Sequence, residues 1–567
     1  MDYKKRYDEW LNNDYFDETF RAELKSIEND EKEIEERFYK DMEFGTGGMR
    51  GVIGAGTNRM NEYVIRKASQ GFANFAMNRY EENSIVIAHD CRHKSPEFAL
   101  ETALVFAANG IKAYLFESLR STPELSYAVR HLNASVGVVV TASHNPPAYN
   151  GYKVYGDDGC QLLPVDADKV VEEVNKIKSF DEVKYISKEK AVEEGLLVYL
   201  DAKQDNDYLD MVESVAIDAN IISEVEDLKV VYSALHGTGA RPIELIMKRK
   251  GLKHFYPVKE QMVADSNFST LKSPNPEDVS AFEYGIKLAK EKDADVVIAT
   301  DPDCDRVGVV VKSGDEYIAL NGNQTGVLLV DYVLSSTKDM PEKPFLVNTI
   351  VTSGMAEKII RSYGAELMST LTGFKFIGEQ IKLHEDGSKQ FLFGYEESYG
   401  YLAGTHVRDK DAVIATMLVV EMVAKYKKQG LTLVDVLDGL YKKVGYYQES
   451  LTSIVLEGKA GLEKIARIMS SLRENPIKHV AGLEMDKIMD CLDQSITSKE
   501  GKVDNGLPKS NVLKYYLEDG SWFAARPSGT EPKLKVYFSV VGDTREHCLD
   551  KLEKVEKEVL SIVNSIE

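Results

Sequence analysis

Short runs of β-branched residues alternate with helical stretches along most of this chain, and this alternation restricts the fold more than any other feature. SIVIAHD, VGVVVTAS, ADVVIATDPD and KPFLVNTIVTS are typical of buried strands, and each run ends in polar residues. PEFALETALVFAANG and SAFEYGIKLAKEKD have helical spacing, and Gly110 is placed as a helix stop. Strands that alternate with helices require crossover connections and form sheets rich in parallel pairs.

The length of the chain predicts several domains. At roughly 150 residues per domain, the 567 residues correspond to about four domains. The alternating pattern recurs three times before about residue 450. SLTSIVLEG, a helix from about Leu462 to Arg473, SWFAARPSG, LKVYFSVVG and a helix from about Arg545 then predict a smaller α+β domain. We therefore expect an α/β fold: three consecutive mixed or parallel-sheet α/β domains and a smaller C-terminal α+β domain around a central cleft. The expected boundaries lie near residues 205, 320 and 450, so that the domains span 1–205, 206–320, 321–450 and 451–567, and the first includes an N-terminal helical extension.

The charge balance and the cysteines exclude several classes of protein. Lys and Arg number 70 against 92 Asp and Glu, and the formal net charge of −22 disfavours binding to nucleic acid or to an anionic membrane. The five cysteines form no CxxC pair, which disfavours a disulfide framework and fits a reducing compartment.

Neither a signal peptide nor a membrane span is predicted from the sequence. MDYKKRYDEW leads into charged sequence without an apolar signal region. DAVIATMLVVEMVAKY contains Glu421 and predicts a buried helix of a soluble protein. We therefore expect a cytoplasmic protein. Because the chain is acidic overall, an anionic substrate would require a local cluster of basic residues in its binding site.

The first of four polar loops that stand out is TASHNPPAYNGYK, directly after the strand VGVVV. Ser143 lies at the carboxyl end of a buried strand, where ligand crevices of α/β proteins form. His144 adjoins it, and Asn145 with the two prolines keeps the segment out of a helix. This position suits a nucleophile, a phosphoacceptor or a turn residue. The sequence around Ser143 lacks the GxSxG pattern, which disfavours the nucleophile elbow of α/β-hydrolases.

The second loop is acidic and lies within ADVVIATDPDCDRVGVVV. Asp301, Asp303 and Asp305 repel one another at this spacing unless a cation lies among them, and hard oxygen ligands favour Mg²⁺ or Ca²⁺. An EF-hand requires Gly and Glu where Arg306 and Lys312 stand, so that interpretation fails. A haloacid-dehalogenase motif requires Thr or Val in place of Asp305, and a solvated acidic turn leaves the bracketing apolar strands unexplained.

The two remaining loops suit a phosphorylated polyol. FGYEESYGYL places Glu396 and Ser398 among glycines and aromatic residues, which suits recognition of sugar hydroxyls. ARPSGTEPKLKVY combines a bidentate cation, hydroxyl groups and glycine-exposed backbone that can wrap a phosphate. GTGGMRG and TLTGFKFIG supply two further cations, Arg50 and Lys375.

These motifs, TASHNP, DPDxDR, GYEES and RPSGTEP in that order, resemble the α-D-phosphohexomutases, the phosphoglucomutase/phosphomannomutase family. The resemblance covers nearly the whole chain. FGTGGMRG, TLTGFKFIG and the N-terminal extension look most like the longer bacterial branch, which is similar to phosphopentomutases. Cys304 departs from the family pattern, in which this position is usually small, and an exposed thiol there would make the site sensitive to oxidation.

The resemblance implies a role for each matching residue. It assigns the phosphoserine to the first domain, the metal to the second, sugar binding to the third and phosphate binding to the fourth. Ser143 would carry the phosphoryl group, and Mg²⁺ would be held by Asp301, Asp303, Asp305 and a phosphate oxygen on Ser143. Lys153 and Lys375 are candidates for the general acid or base, with His406 as a further candidate. The remaining assignments are Arg50, His144, Lys153 and Arg306 around the phosphoserine, Glu396 and Ser398 on sugar hydroxyls, and Arg526, Ser528, Gly529 and Thr530 on the substrate phosphate.

The implied activity is that of a Mg²⁺-dependent phosphoglucomutase, an intramolecular phosphotransferase. It would interconvert glucose 1-phosphate and glucose 6-phosphate, with glucose 1,6-bisphosphate as intermediate and activator and a phosphosugar as its small-molecule partner. Phosphomannomutase and phosphopentomutase are alternatives within the superfamily. A non-catalytic phosphosugar-binding homologue and a phosphosugar phosphatase are alternatives outside it, and the intact motifs argue against the former.

Overall fold

Three short helices open the chain and pack on the first domain. The computed structural model describes residues 2–45, 48–456, 458–528 and 533–566. Asp2, Asp17 and Asp30 each accept backbone N–H bonds at the start of a helix, which favours initiation at those points. Trp10 stacks on Phe16 with ring centroids 4.1 Å apart and contacts residues of the first domain. The helices are α1 (Tyr3–Asn12), α2 (Glu18–Ser26) and α3 (Glu31–Phe38).

The first domain is a mixed sheet between helices. Its strand order is β1-β5-β4-β2-β3-β6, with parallel pairs through the β-α units and antiparallel pairs at β1, β5 and β4. The elements are β1 (Met49–Val52), α4 (Glu62–Arg79), β2 (Ser84–His89), α5 (Ser95–Ala108), β3 (Lys112–Phe116), α6 (Thr122–His131), β4 (Val136–Val140), β5 (Tyr149–Tyr155), α7 (Pro164–Lys176), a 3₁₀ turn (Phe180–Glu182), α8 (Lys188–Glu193) and β6 (Leu197–Leu200). Gly110 follows α5 with φ +77°, which confirms it as the helix stop.

The second domain places its acidic loop inside a hairpin. The sheet order is β11-β10-β9-β7-β8, and β9 and β10 pair antiparallel from Thr300↔Val307 outward. The elements are α9 (Ala202–Ser214), α10 (Ile221–Glu224), β7 (Lys229–Ser233), α11 (Ala240–Arg249), β8 (His254–Pro257), 3₁₀ turns at Lys259–Gln261 and Val279–Phe282, α12 (Glu283–Lys292), β9 (Val296–Thr300), β10 (Val307–Ser313) and β11 (Glu316–Leu320).

The third domain shares its core with the second through one buried helix. This helix is the expected DAVIATMLVVEMVAKY segment; Asp411 caps its start, and Glu421 inside it is 0% exposed. Glu421 Oε2 accepts a hydrogen bond from the Tyr332 hydroxyl at 3.0 Å and others from backbone N–H groups, and Lys250 Nζ lies 3.8 Å from Oε1, so a nearby charge compensates the buried carboxylate. The sheet order is β13-β12-β14-β15. The elements are α13 (Gly322–Ser336), β12 (Pro344–Thr349), α14 (Met355–Ser362), β13 (Glu366–Thr370), α15 (Phe374–Leu383), β14 (Gln390–Glu396), β15 (Gly400–Ala403), α16 (Ala412–Lys428) and α17 (Leu433–Val444).

The C-terminal domain is an antiparallel sheet with two long helices. Its strands follow the order β16-β23-β22-β21-β18-β19-β20, with β17 paired to β18. The elements are β16 (Tyr446–Val455), α18 (Gly458–Glu474), β17 (His479–Val480), β18 (Leu483–Asp490), β19 (Ser495–Ser498), β20 (Gly501–Asp504), β21 (Leu513–Leu517), β22 (Trp522–Pro527), β23 (Lys533–Gly542) and α19 (Arg545–Ser565). Helix α18 begins four residues before the expected Leu462, because Gly458 and Gly461 in its first turn are poor helix formers.

An apolar interface holds the C-terminal domain against the third domain. Ile350 and Phe376 of the third domain join Trp522 and Tyr537 of the fourth in one buried cluster. This contact places β22 beside the third domain. The three α/β domains and the sheet-rich C-terminal domain confirm the predicted fold class. Among the described residues, no helix has the length and apolar character needed to cross a membrane.

Candidate active site

The serine and the acidic loop meet across the boundary between the first two domains. Strand β4 ends at Val140, shortly before Ser143, and strand β9 ends at Thr300, directly before Asp301. The Ser143 hydroxyl donates a hydrogen bond to Asp301 Oδ2 at 2.7 Å. Ser143 is 3% exposed and Asp301 is 0% exposed, so the contact is sheltered from bulk water. Two motifs separated by about 160 residues in sequence therefore form one site.

Ser143 has a backbone conformation that L-residues rarely adopt. Its φ is +51°, in the left-handed region, and the surrounding contacts must hold it there. The Ser143 N–H donates to Thr141 Oγ1 at 2.8 Å, and Ser143 Oγ lies 3.4 Å from His144 Nδ1. The following segment is not helical, as Asn145 and the prolines predict.

The three aspartates of the acidic loop converge. One oxygen of each carboxylate lies within 4.8 Å of the others, and all three residues are buried. Asp301 Oδ1 accepts the backbone N–H groups of Asp305 and Arg306, both at 3.0 Å. Burial, with repulsion from the other two carboxylates, raises the pKa of Asp301 well above its usual range. The grouping therefore carries an energetic cost that a bound cation relieves.

The orientation of Asp303 shows which of its oxygens is already used. Asp303 Oδ2 accepts hydrogen bonds from the Thr122 hydroxyl at 2.8 Å and from Lys153 Nζ at 2.7 Å. Although burial opposes ionisation, the Lys153 charge holds the pKa of Asp303 well below its ordinary value. Within the described part of the chain, Asp303 Oδ1 and Asp305 Oδ1 are buried without a hydrogen-bond partner. Unpaired buried carboxylate oxygens beside a third carboxylate fit a hard divalent cation such as Mg²⁺.

Two lysines reach the acidic loop, and the sequence motifs point to one of them. Lys153 lies 2.7 Å from Asp303 and 3.3 Å from Asp305. It belongs to strand β5, not to the loop we expected, because Tyr149–Tyr155 pairs antiparallel with both β4 and β1. Lys410, which the sequence analysis missed, lies 3.2 Å from Asp305 Oδ2 and 2.9 Å from Asp409 Oδ1. The segment THVRDKDA offered Lys410 only as one charge among several.

Arg50, His144 and Arg306 surround the same site. Arg50 donates to Asn145 Oδ1 at 3.0 Å, and although its side chain is solvent-accessible, the cleft walls desolvate it and lower its pKa. Burial, together with the charges of Arg306 and Arg50, holds the pKa of His144 well below its usual range, so this imidazole is neutral at pH 7. Arg306 Nε lies 3.9 Å from Asp305 Oδ1, and its guanidinium also donates to Glu277. Local cations thus counter the acidity of the whole chain.

The GYEES segment faces these cations. Glu396 is the last residue of β14, rather than part of a wholly irregular loop, and it is 7% exposed. Although burial opposes the charged forms, Glu277 and Asp305, with a smaller contribution from Glu396, raise the pKa of Arg306. Asp305 and Asp409, again with a smaller contribution from Glu396, raise the pKa of Lys410, so Glu396 lies near the acidic loop. Ser398 occupies the turn between β14 and β15 and is partly buried. Burial raises the pKa of the adjacent Glu397 to about 7, and Glu397 accepts the Thr349 hydroxyl at 3.0 Å.

The basic residues of the C-terminal domain approach from the opposite side. Arg526 lies on β22, and the Ser528 N–H donates to the Lys533 carbonyl at 2.8 Å. Gly529 and Thr530 lie outside the described residues. Burial, reinforced by the charge of Arg526, lowers the pKa of Lys375 to about 8. Lys535, a further basic residue of β23, feels the charges of both Arg526 and Arg306, so the two halves of the site converge.

Two expected features lie apart from this arrangement or differ from expectation. His406 is exposed at the surface, but neighbouring protein atoms partly desolvate its ring, and this desolvation, with the charges of Arg130 and Arg408, lowers its pKa. These arginines belong to a cluster with Glu385, and no contact of His406 with Ser143 is found among the described residues. Cys304 is 0% exposed, so the condition for oxidation of this thiol is not met. Its φ of +55° explains why a small residue suits the position.

Comparison with known families gives one consistent match. Four models of phosphoglucomutase/phosphomannomutase domains match the chain: alpha/beta/alpha domain I at residues 41–181, domain II at 206–314, domain III at 321–444, and the C-terminal domain at 457–551. Together these matches cover well over half of the chain.

Similar proteins include curated bacterial enzymes and a solved structure. A phosphoglucomutase of Staphylococcus saprophyticus is 37% identical over 518 residues, which are 90% of this chain and 92% of that protein. A phosphoglucomutase of Staphylococcus epidermidis is 37% identical over 94% of this chain and 97% of its own length. The open form of the Paramecium phosphoprotein parafusin, a phosphoglucomutase, superposes with a TM-score of 0.71 at 18% identity and covers 93% of this chain and 95% of its own, which supports the fold.

Proposed function

The chain belongs to the phosphoglucomutase/phosphomannomutase family, and from that membership we propose that it interconverts α-D-glucose 1-phosphate and glucose 6-phosphate. It is a phosphohexomutase, an intramolecular phosphotransferase. The observation that carries the proposal is the 2.7 Å hydrogen bond between the Ser143 hydroxyl and Asp301, inside a group of three buried carboxylates. A serine oxygen beside three converging hard ligands suits a phosphoryl carrier whose charge a cation neutralises.

The reaction requires a phosphoryl group on Ser143 Oγ. The free C6 hydroxyl of glucose 1-phosphate forms a bond to phosphorus while the bond from phosphorus to Ser143 Oγ breaks. The sugar hydroxyl gives its proton to a base, Ser143 Oγ regains a proton, and glucose 1,6-bisphosphate results. The bisphosphate then turns, and its C1 phosphoryl group passes back to Ser143, which leaves glucose 6-phosphate. The partner of this site is therefore a small phosphosugar.

Mg²⁺ is the metal we propose for the acidic loop. Asp301, Asp303 and Asp305 would hold it together with a phosphate oxygen on Ser143, and the unpaired Oδ1 atoms of Asp303 and Asp305 suit that role. When bound, Mg²⁺ supplies positive charge that stabilises the transferring phosphoryl group. Thr122 and Lys153 hold the opposite oxygen of Asp303, which fixes the direction in which the free oxygen points.

Three cations and one neutral imidazole around Ser143 also supply hydrogen-bond donors. Arg50, neutral His144, Lys153 and Arg306 line the region into which the phosphoryl oxygens would project, and their hydrogen-bond donors suit three equatorial oxygens. Lys153 and Lys375 remain the proposed acid or base residues. A lysine with a pKa of about 8, such as Lys375, accepts or donates a proton near neutral pH.

Sugar and distal phosphate would be held by the third and fourth domains. We assign Glu396 and Ser398 to sugar hydroxyls, and Arg526, Ser528, Gly529 and Thr530 to the phosphate that is not transferred. His406 stays a proposed substrate contact despite its separate location. The phosphate-binding residues of the fourth domain must accept the bisphosphate in both orientations. Because they lie on a separate domain, hinge motion can adjust their position and exclude water.

Three further assignments accompany this function. We propose that the domains divide near residues 205, 320 and 450. We propose glucose 1,6-bisphosphate as the activator that restores a phosphate to unmodified Ser143. We propose a cytoplasmic location, which is supported by five free, buried cysteines.

Phosphorus NMR of the purified protein tests the proposal. The reaction contains glucose 1-phosphate, Mg²⁺ and a trace of glucose 1,6-bisphosphate. The expected result is conversion to glucose 6-phosphate that stops when a chelator removes the metal. Conversion of mannose or pentose phosphates, without conversion of glucose phosphates, would identify a different substrate for the mutase. Release of inorganic phosphate would show that the protein is a phosphatase and not a mutase.

A further inference from the structure

Asp90 and Arg92 follow strand β2 directly. Their side chains hold the backbone of the serine loop, residues 141–149, through hydrogen bonds. We propose that Asp90 and Arg92, with Thr141 as the link between Asp90 and Ser143, form a backbone clamp of three residues that positions Ser143 for phosphoryl transfer. The inference deepens the proposed function and rests on Ser143 as the phosphoryl carrier. Among the described residues, the side-chain hydrogen bonds of Asp90 and Arg92 run to the serine loop, to Ser95 and to the Arg92 N–H, so these two are positioning residues.

Arg92 holds the carbonyl side of the loop. Its side chain is almost fully buried, with 1% exposure. Nη1 donates to the carbonyl oxygens of Pro146 at 2.9 Å and Tyr149 at 3.1 Å. Nη2 donates to the carbonyl oxygens of Ser143 and Asn145. One planar, charged fork therefore binds four carbonyls of a single loop, a geometry that a lysine ammonium cannot reproduce.

Asp90 holds the amide side of the same loop through Thr141. Asp90 Oδ2 accepts the Thr141 hydroxyl at 2.6 Å, and Thr141 Oγ1 in turn accepts the Ser143 N–H at 2.8 Å. Asp90 Oδ1 accepts the Ser95 hydroxyl at 2.7 Å and the Arg92 N–H at 2.9 Å, and Asp90 Oδ2 lies 3.2 Å from Arg92 Nε. The N–H and the C=O of Ser143 are thus both held by one buried ion pair.

The conformation of Ser143 explains why such a clamp is needed. A non-glycine residue at φ +51° persists only when its surroundings determine it from several sides. The φ of this residue sets the direction of Oγ toward Asp301 and the metal ligands. Phosphoryl transfer requires aligned attacking and leaving oxygens, and a displacement of about 1 Å can cost roughly 100-fold in rate.

The clamp also lies where the first two domains are aligned. The Phe268 ring of the second domain lies 5.0 Å from the Arg92 guanidinium carbon. On either side of it, the Ser266 hydroxyl donates to the Cys91 carbonyl at 2.8 Å, and His93 contacts Asn267 at 2.9 Å. The clamp therefore fixes Ser143 both within its own loop and relative to the domain that carries the acidic loop.

Thr141→Val and Thr141→Ser test the clamp as a matched pair. Valine keeps the volume of Thr141, which is 1% exposed, but removes the hydroxyl that links Asp90 to Ser143, whereas serine keeps the hydroxyl and removes the methyl group. We expect Thr141→Val to lower kcat by roughly 100-fold with KM for glucose 1-phosphate within threefold of wild type. We expect Thr141→Ser to retain kcat within threefold. Equal losses in both variants, or a folded Thr141→Val enzyme with wild-type kcat, would overturn the proposal.

Amide hydrogen exchange of residues 141–149 gives a readout that does not depend on catalysis. We expect faster exchange in Thr141→Val and wild-type exchange in Thr141→Ser. If the wild-type protein fails to convert glucose phosphates, the proposed function is wrong, and the exchange rates still show whether the Thr141 hydroxyl holds the serine loop. Unchanged exchange in Thr141→Val would remove the clamp while leaving the mutase activity intact.

A second pair covers the case in which Thr141→Val does not fold. Arg92→Lys keeps the charge and loses the fork, and Arg59→Lys is its control. Arg59 is a buried arginine of the same domain, 7% exposed, whose guanidinium contacts Glu33 and Asn58 instead of the serine loop. We expect kcat to fall at least tenfold in Arg92→Lys and to stay within twofold in Arg59→Lys. Equal kcat in the two variants would contradict the clamp.

Discussion

Replacement of Lys153 by Met tests the electrostatic account of the acidic loop. Lys153 Nζ lies 2.7 Å from Asp303 and 3.3 Å from Asp305, whose side chains are 0% and 2% exposed. Removal of one partner from a buried ion pair costs about 3–5 kcal/mol, since the remaining charge is left uncompensated. Lys410 still lies 3.2 Å from Asp305, so we take the lower end, about 3 kcal/mol, for the loss in free energy of unfolding.

Differential scanning calorimetry measures this loss with and without metal. A domain of 150–250 residues changes its melting temperature by about 2–4 °C per kcal/mol, so the transition of the affected domains should fall by about 6–12 °C in chelator. Saturating Mg²⁺ supplies a closer cation for the same carboxylates, and ligand binding to the folded state alone stabilises it. We therefore expect Mg²⁺ to recover more than half of the loss.

Lys176→Met is the matched control. Lys176 Nζ lies 2.6 Å from Glu173, but its side chain is 66% exposed, and exposed pairs contribute about 0–1 kcal/mol. The control should melt within about 4 °C of wild type under both conditions. A Lys153→Met protein that melts with wild type in chelator, or that gains no more than wild type from Mg²⁺, would refute the argument that unpaired buried carboxylates form the metal site.

Three further substitutions probe separate parts of the site. Ser143→Ala should lower turnover by several orders of magnitude while circular dichroism and melting stay unchanged, and near-wild-type activity would remove Ser143 from its role. Burial lowers the pKa of Lys375 from 10.5 to about 8, so the charged form carries a penalty that is full below pH 8 and disappears as the pH rises toward 10.5. Lys375→Met should therefore lower turnover yet stabilise the protein at pH 7, on the order of 2 kcal/mol, and a melting gain that does not shrink at alkaline pH would contradict this cause. Arg526→Met should raise KM for glucose 1-phosphate roughly 10- to 100-fold, and an unchanged KM would exclude Arg526 from the phosphate-binding site. It should also raise the pKa of Lys375, measured by the pH dependence of its chemical labelling.

The sequence predicted those parts of the molecule whose signals are local. Alternating β-branched runs and helical spacing indicated the fold class, since buried parallel strands and amphipathic helices leave such patterns within about ten residues. The motifs around Ser143, Asp301 and Glu396 pointed to chemistry because their residue types are costly without a ligand. The buried helix at Ala412–Lys428 was recognised even with Glu421 inside it, because one carboxylate does not disrupt a continuous apolar pattern.

The remaining features depend on contacts between distant segments. Lys153 was placed in a loop because Asn150 and Gly151 resemble a turn, whereas the pairing with β1 and β4 makes the segment a strand. Lys410 lies in a run of alternating charges, and only the fold brings it within 3.2 Å of Asp305.

Arg92 was missed for a related reason. HDCRHK is typical of a solvated surface segment, and the burial of Arg92 becomes visible only when the serine loop closes over it.

The fate of the phosphoryl group on Ser143 tests the central claim most directly. The enzyme is labelled with ³²P from labelled glucose 1,6-bisphosphate, freed of excess label, and mixed with unlabelled glucose 1-phosphate in a single turnover with Mg²⁺. We expect peptide mapping to locate the initial label on Ser143, and we expect the label to pass to glucose 1,6-bisphosphate and glucose 6-phosphate, with no labelling of Ser143→Ala. Label found on another residue, or released as inorganic phosphate, would contradict the account.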